Sequence, residues 1–299
     1  MEKIKVTFLG TSDAIPSKKR SHTAILVSFA NENILVDCGE GTQRQFKFAG
    51  LSPMKLTRIL ITHWHGDHML GLPGLFETLA LQDFKGEIKI YGPKGTQRYI
   101  SLIQELISDY RINLEVHEVS NGIFINEKDF FVEAAPMHHA NATNAYSICL
   151  KDKMRFDKKK LKKLNLIKSP LMKELAKGKD VVHNGKKIKA KNLVYTERGK
   201  KLAIILDTSY NEGAVNLASG ADLLISESSF SKEESAKAQE YKHLTAPQAA
   251  EIAKKANAKK LLLTHISQRY EHKPEIIEKE AKKVFKNVKI AKDFDSFVI

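Results

Sequence analysis

Arg58-Ile59-Leu60-Ile61-Thr62-His63-Trp64-His65-Gly66-Asp67-His68 decides how the rest of the 299-residue chain is read. The run Arg58–Thr62 is apolar and β-branched, the pattern of a short buried strand. It stops abruptly, and three histidines and an aspartate follow within six residues. In extended chain, residues two apart project to the same side, so His63 and His65 can converge on one ion. Gly66 permits a sharp turn before Asp67 and His68. Four donors on so short a loop suit two neighbouring ions better than one. Imidazole and carboxylate donors favour zinc, with manganese or iron as alternatives.

Working outward, other strand-like runs also end in possible donors. Residues 130–135 precede Pro136-Met137-His138-His139, 202–206 end in Asp207, and 261–264 end in His265. Loops at strand ends are where α/β folds assemble sites. Spacing alone leaves His138 and His139 equivalent. Asp37, ahead of Cys38-Gly39, suits either a tight turn or a carboxylate that orients a ligand imidazole. His22, His117, His183 and His272 are expected to be ordinary core or surface residues.

The strand–helix rhythm is clear on both sides of one interruption. Strands are expected at 4–10, 24–29, 34–36, 58–62, 87–91, 114–119, 130–135, 145–150, 202–206, 223–226 and 261–264. Helices are expected at 43–49, 69–81, 94–108, after the Thr245–Gln248 capping pattern, and at 274–285. The interruption is basic. Residues 151–191 hold 16 Lys/Arg against four Asp/Glu, a net +12 out of +14 for the whole chain. This segment shows little β pattern, two possible short helices (156–166 and 171–176), and too few apolar positions for a core of its own. So concentrated a charge points to a polyanion partner, nucleic acid before acidic lipid.

No apolar run approaches the roughly 18 residues of a membrane span, and the opening residues pass straight into a strand, so neither membrane nor signal peptide is expected. Cys38 and Cys149 have no spacing pattern and are expected to be buried thiols of a cytoplasmic protein.

The H-x-H-x-D-H loop resembles the signature of metallo-β-lactamase-fold hydrolases, which implies an α/β, four-layer αββα sandwich with a two-metal site at its edge. Further segments resemble the tRNase Z (ribonuclease Z) family in its short form. They are Leu9-Gly10-Thr11 with Pro16-Ser17-Lys18, Asp37 through Gln43, His243-Leu244-Thr245, and Leu263 through Tyr270. The likeness runs nearly end to end in order and spacing. It implies one domain, 1–299, interrupted by a tRNA-gripping arm at 151–195, with Ser169-Pro170 where the family usually has Gly-Pro.

It also implies roles. His63, His65 and His139 would hold one zinc; Asp67, His68 and His265 would hold the other; Asp207 would bridge. Asp67 would accept a proton from the attacking water, His243 would protonate the leaving 3′ oxygen, and Glu227 would support His243. Arg269 can meet a phosphate bidentately, while Lys18, Lys19 and Arg20 either meet the RNA end or form a solvated loop. Two adjacent cations bring a bound water's pKa to roughly 7 and polarise a phosphoryl oxygen. The activity implied is endonucleolytic removal of the 3′ trailer from precursor tRNA by a homodimer using two zinc ions per subunit, or manganese. The metal loop by itself also fits a small-molecule phosphodiesterase, and the arm by itself a non-catalytic RNA-binding protein.

Overall fold

A computed structural model describes residues 2–107 and 111–299. Its contacts divide the chain into a larger unit, residues 2–149 with 200–299, and a smaller one, Leu150–Gly199.

The larger unit contains two seven-stranded sheets among the described residues. The first runs in the order Ser296–Val298, Lys5–Gly10, Ala24–Phe29, Glu32–Val36, Arg58–Leu60, Glu87–Gly92, Asn113–Glu118. The second runs Val288–Ile290, Leu261–Thr264, Leu223–Glu227, Lys201–Ile205, Thr143–Leu150, Phe130–Met137, Gly122–Asn126. Each sheet has a parallel half, from Glu32–Val36 to Asn113–Glu118 in the first and from Lys201–Ile205 to Val288–Ile290 in the second. Parallel strands are covered on both faces. This is why Leu261–Thr264 reads Leu-Leu-Leu-Thr and is buried throughout.

Helices Thr42–Phe48, Leu72–Leu81 and Thr96–Leu106 cover the first sheet, and Glu212–Ala218, Ala246–Lys255 and Glu275–Val284 cover the second. The sheets meet through side chains such as Phe29 and Phe130, 5.0 Å apart edge to face, and Tyr146, whose hydroxyl donates to the Ile61 carbonyl. The result is the α/β four-layer αββα arrangement expected. The final residue of the helix expected at 94–108 lies outside the described residues. No described helix is long and apolar enough to cross a membrane, and Cys38 and Cys149 are buried free thiols.

Two departures from the sequence reading matter for the site. The strand expected at 58–62 ends at Leu60, because the Ile61 amide still bonds to Tyr91 of the first sheet while the Thr62 carbonyl accepts from Asn144 of the second. The histidine loop therefore leaves from a point tied to both sheets. The helix expected at 69–81 is two helices, Gly66–Met69 and Leu72–Leu81, parted at Leu70-Gly71. A Cβ on Gly71 would sit 2.0 Å from the Gly39 carbonyl oxygen, and one on Gly39 would sit 2.5 Å from that of Asp67. The Asp37-Cys38-Gly39 turn thus lies directly against the loop, and the Cys38 amide donates to His68.

The Leu150–Gly199 unit corrects the expectation of a segment with little β structure and no core. Lys153–Phe156 pairs with Val194–Glu197, and Val181–His183 with Lys186–Ile188. Helices Lys158–Lys163 and Met172–Ala176 lie between these ladders. Leu161, Leu166, Leu175, Val181, Ile188 and Leu193 form a small buried cluster. Each short element contributes one or two apolar residues among lysines, so no window of sequence shows a period, although together they close a core.

Candidate metal centre

Trp64 fixes the direction of the loop. Its indole donates to the Thr96 hydroxyl and stacks 4.8 Å from Tyr99, within the helical layer over the first sheet. Alternation then sends His63 and His65 the opposite way. Their ring nitrogens, His63 Nε2 and His65 Nδ1, approach to 2.9 Å, and His139 Nε2 lies 3.3 Å from His65 Nδ1. His138 is exposed and serves through its backbone, which bonds to Thr208 and Ser209; His139 is the histidine whose ring enters the cluster.

A second set gathers around Asp67. Its Oδ2 lies 3.1 Å from His68 Nε2 and 3.3 Å from His265 Nε2. Asp207 stands between the two sets. Its Oδ2 faces His63 and His139 at 3.6 and 3.8 Å, while its Oδ1 faces His265 and His68 at 3.2 and 3.5 Å. His68 Nε2 and Asp207 Oδ1 are buried without a hydrogen-bond partner. Buried polar atoms of native proteins rarely lack one, and a lone pair on each suits a cation. The donor set, nitrogen and carboxylate oxygen with no sulfur, fits zinc or a similar divalent metal at both positions.

Two of these donors and one residue behind them follow strands with an unusual backbone. Asp37, Asp207 and His265 all have positive φ, at 57°, 26° and 55°. Non-glycine residues reach this region at a cost of roughly 1–3 kcal/mol, which surrounding structure must hold in place. Here the retaining contacts are on view. Asp37 Oδ1 accepts from the Thr62 amide, and its Oδ2 meets His68 Nδ1 at 2.6 Å. Ser229 Oγ lies 2.8 Å from His265 Nδ1. The Lys242 carbonyl lies 3.2 Å from His139 Nδ1. With Nδ1–H committed in this way, each Nε2 lone pair is left facing the cluster.

Despite their burial, His68 and His265 are raised by the carboxylates among the donors that are set against them. Burial pushes the Asp67 carboxyl up, but the adjacent His68 and His265 imidazoles outweigh it and hold it well below the usual range. Asp207 is likewise held low, burial being outweighed by His265 and His68. Burial lowers His63 and His139, favouring the neutral rings that bind metal.

His243 lies beside the cluster, its ring centroid 5.1 Å from that of His139 and 5.5 Å from that of His265. Burial works against its charge, but the fully buried Glu227 carboxylate more than offsets this and raises it to about 9. Glu227 is itself fixed by the Thr208 amide and Ser229 hydroxyl. A cavity of about 500 Å³ opens over the cluster, lined by Asp67, His243, Phe230, Tyr241 and Arg269 among others. The Arg269 guanidinium lies over the Phe230 ring at 5.3 Å and reaches Glu234 at 3.5 Å.

Lys18 and Lys19 are exposed, whereas Arg20 is buried and donates to the Thr11 hydroxyl and the Ala291 carbonyl. Arg20 therefore stabilises the fold and is not presented to RNA. Sequence reasoning overlooked Thr62, Thr208 and Ser229, whose only signal is their place directly after a strand or beside an acidic site residue.

Comparison with known proteins bears on this geometry. Residues 4–183 match the family model described as "Anti-Pycsar protein Apyc1". The chain is 41% identical to Ribonuclease Z of Methanothermobacter thermautotrophicus, over 97% of this chain and 95% of that protein. It is 37% identical to Ribonuclease Z of Bacillus velezensis, over 97% of each. The chain belongs to the ribonuclease Z family. The crystal structure of human tRNase Z, short form, superposes with a TM-score of 0.71 at 30% identity, covering 98% of both chains. A metallo-β-lactamase fold protein of Bacillus subtilis, YhfI, shares the fold with a TM-score of 0.72 at 22% identity. The Apyc1 match ends before Asp207, His243 and His265, whereas the ribonuclease Z likeness spans almost the whole chain.

Proposed function

We infer that this chain is a metal-dependent endoribonuclease that removes the 3′ trailer from precursor tRNA, leaving a 3′-hydroxyl on the tRNA and a 5′-phosphate on the trailer. One observation carries the reading: a seven-donor cluster beside a Glu227-bound His243, in a chain that matches ribonuclease Z along its length. His63, His65 and His139 would hold one zinc ion, Asp67, His68 and His265 the other, and Asp207, with an oxygen toward each set, would bridge them. When bound, such a pair supplies a water that ionises near neutral pH and charge neutralisation at phosphoryl oxygens.

The chain's own residues do the rest. Asp67, which lines the cavity beside His68 and His265, would accept the proton of the attacking water. His243 is held protonated with Nδ1 on Glu227, so Nε2 is the atom left to protonate the leaving 3′ oxygen. Arg269 borders the cavity with a charge suited to a flanking phosphate. The basic Leu150–Gly199 unit supplies the polyanion grip expected of an arm that holds the tRNA body. A homodimer in which each arm serves the partner's site, working in the reducing cytoplasm that two unpaired cysteines suit, completes the reading.

Replacing Asp67 with Ala tests it. Cleavage of a trailer-bearing precursor should be lost while tRNA binding persists. A parent protein that binds tRNA but never cuts it would favour an RNA-binding role instead. A parent that turns over small phosphodiesters and ignores the precursor would favour a small-molecule phosphodiesterase.

A further inference from the structure

Four rings step from the floor of the cavity to its mouth. His265 and His243 lie 5.5 Å apart, nearly parallel at 27°. His243 and Phe230 are 6.0 Å apart. Phe230 and Tyr241 are 6.4 Å apart and parallel within 7°. All four line the cavity. Phe230 is 6% exposed, flanked by Tyr241 and by the Arg269 guanidinium, whereas Tyr241 is 56% exposed. Among the described residues lining the cavity, Tyr241 is the non-histidine ring that presents most of its surface to an incoming group.

Its position is rigidly tied to the chemistry. Tyr241 ends the helix Ser235–Tyr241, and Lys242 follows in a left-handed conformation with φ 56°. The turn is closed by the His243 amide donating to the Ala238 carbonyl at 2.8 Å. Lys242 then fastens it to the metal cluster from both sides: its carbonyl takes His139 Nδ1, and its ammonium reaches the His139 carbonyl. Tyr241 and His243 are therefore held in one hydrogen-bonded turn.

Resting on the endoribonuclease reading, we propose that Tyr241 is a positioning residue that stacks on the base of the nucleotide whose 3′ oxygen leaves. A phosphodiester can reach the cavity floor only if its flanking bases leave their own stack, and an aromatic side chain replaces the lost stacking without regard to base identity. His243 addresses the 3′ oxygen of the nucleotide on the 5′ side of the cut. The ring two residues away on the same turn therefore serves that nucleotide, not the first one of the trailer.

The test is a cycle of Tyr241→Ala and Tyr241→Phe against three precursor tRNAs: unmodified, abasic at the nucleotide 5′ of the cut, and abasic at the first trailer nucleotide. Zinc content and thermal midpoint check that each variant is folded. Tyr241→Ala should lower kcat/KM on the unmodified precursor by about 10- to 100-fold, and Tyr241→Phe should restore it. On the precursor abasic 5′ of the cut, the Ala variant should lose little further, while on the trailer-abasic precursor it should lose the full factor. Equal loss on all three would make Tyr241 merely structural and overturn the proposal. So would no loss on the unmodified precursor, or a loss that vanishes only with the trailer base. A parent enzyme that fails to cut the unmodified precursor would remove the functional reading and this proposal together.

Discussion

Both carboxylate oxygens of Glu227 lie 3.1 Å from Nδ1 of His243. This pairing sets the charge of the ring, and it gives the first prediction. His243 acts as a proton donor, so its contribution is present below its pKa and lost as pH rises through it. The carboxylate raises that pKa, to about 9. Bound cations draw it down, but the effect of Glu227 keeps its sign. Glu227→Gln should therefore move the alkaline limb of the rate profile to lower pH and slow cleavage at pH 8 more than at pH 6. A pH profile with an unmoved alkaline limb would contradict this.

Asp37 touches no substrate, yet it meets His68 Nδ1 at 2.6 Å and is fully buried. Carboxylates that orient a ligand imidazole are typically worth 10- to 100-fold in metal affinity. Asp37→Asn should weaken metal binding by about that factor. Asparagine tolerates the left-handed backbone there, so the variant separates loss of charge from loss of conformation. Competition with a chelator measures it, and unchanged affinity would remove the orienting role.

Arg20 gives a prediction of stability. Its guanidinium donates to the Thr11 hydroxyl and the Ala291 carbonyl from a buried position. Arg20→Ala should destabilise the fold by about 2 to 3 kcal/mol in denaturant titration, since it leaves a buried carbonyl and hydroxyl short of a donor. Lys18→Ala, from an exposed residue of the same loop, should change stability by less than about 0.5 kcal/mol. Equal effects would overturn the distinction.

The basic unit should act through charge. Replacing Lys158, Lys159, Lys162 and Lys163 with Gln leaves Leu161 and its cluster in place. Affinity for tRNA should fall, and the slope of log affinity against log salt should become shallower by up to about 3. A weaker affinity with an unchanged slope would mean that these lysines do not meet phosphates.

The loop at 63–68, Asp207 and His265 were legible because they stand just past apolar strands, whose ends local pattern fixes. His139 could not be told from His138 by spacing, and His243, between the helices Ser235–Tyr241 and Ala246–Lys255, was marked only by the family resemblance. Asp37 was legible only as two alternatives, since a turn and an orienting carboxylate use the same residue; the Thr62 amide and His68 Nδ1 show that it does both. The exit of the chain at Ile61-Thr62 was not legible, because it depends on Asn144, more than 80 residues away in sequence. The helix Ser235–Tyr241 escaped notice because its polar sequence buries only Ala238. The core of the Leu150–Gly199 unit escaped because Leu166, Val181 and Ile188 come together from separate short elements. Tyr241 carried no signal either, because it meets Phe230 only through the helix Ser235–Tyr241 that the sequence did not reveal.

The most direct measurement is end-mapped cleavage of a trailer-bearing precursor tRNA by the purified protein, first stripped of metal by a chelator and then reloaded. The stripped protein should be inactive. Zinc or manganese should restore a single cut that leaves a 3′-hydroxyl on the tRNA and a 5′-phosphate on the trailer. An intact precursor in the presence of either metal, or a product ending in a 2′,3′-cyclic phosphate, would contradict a metal-dependent trailer endonuclease.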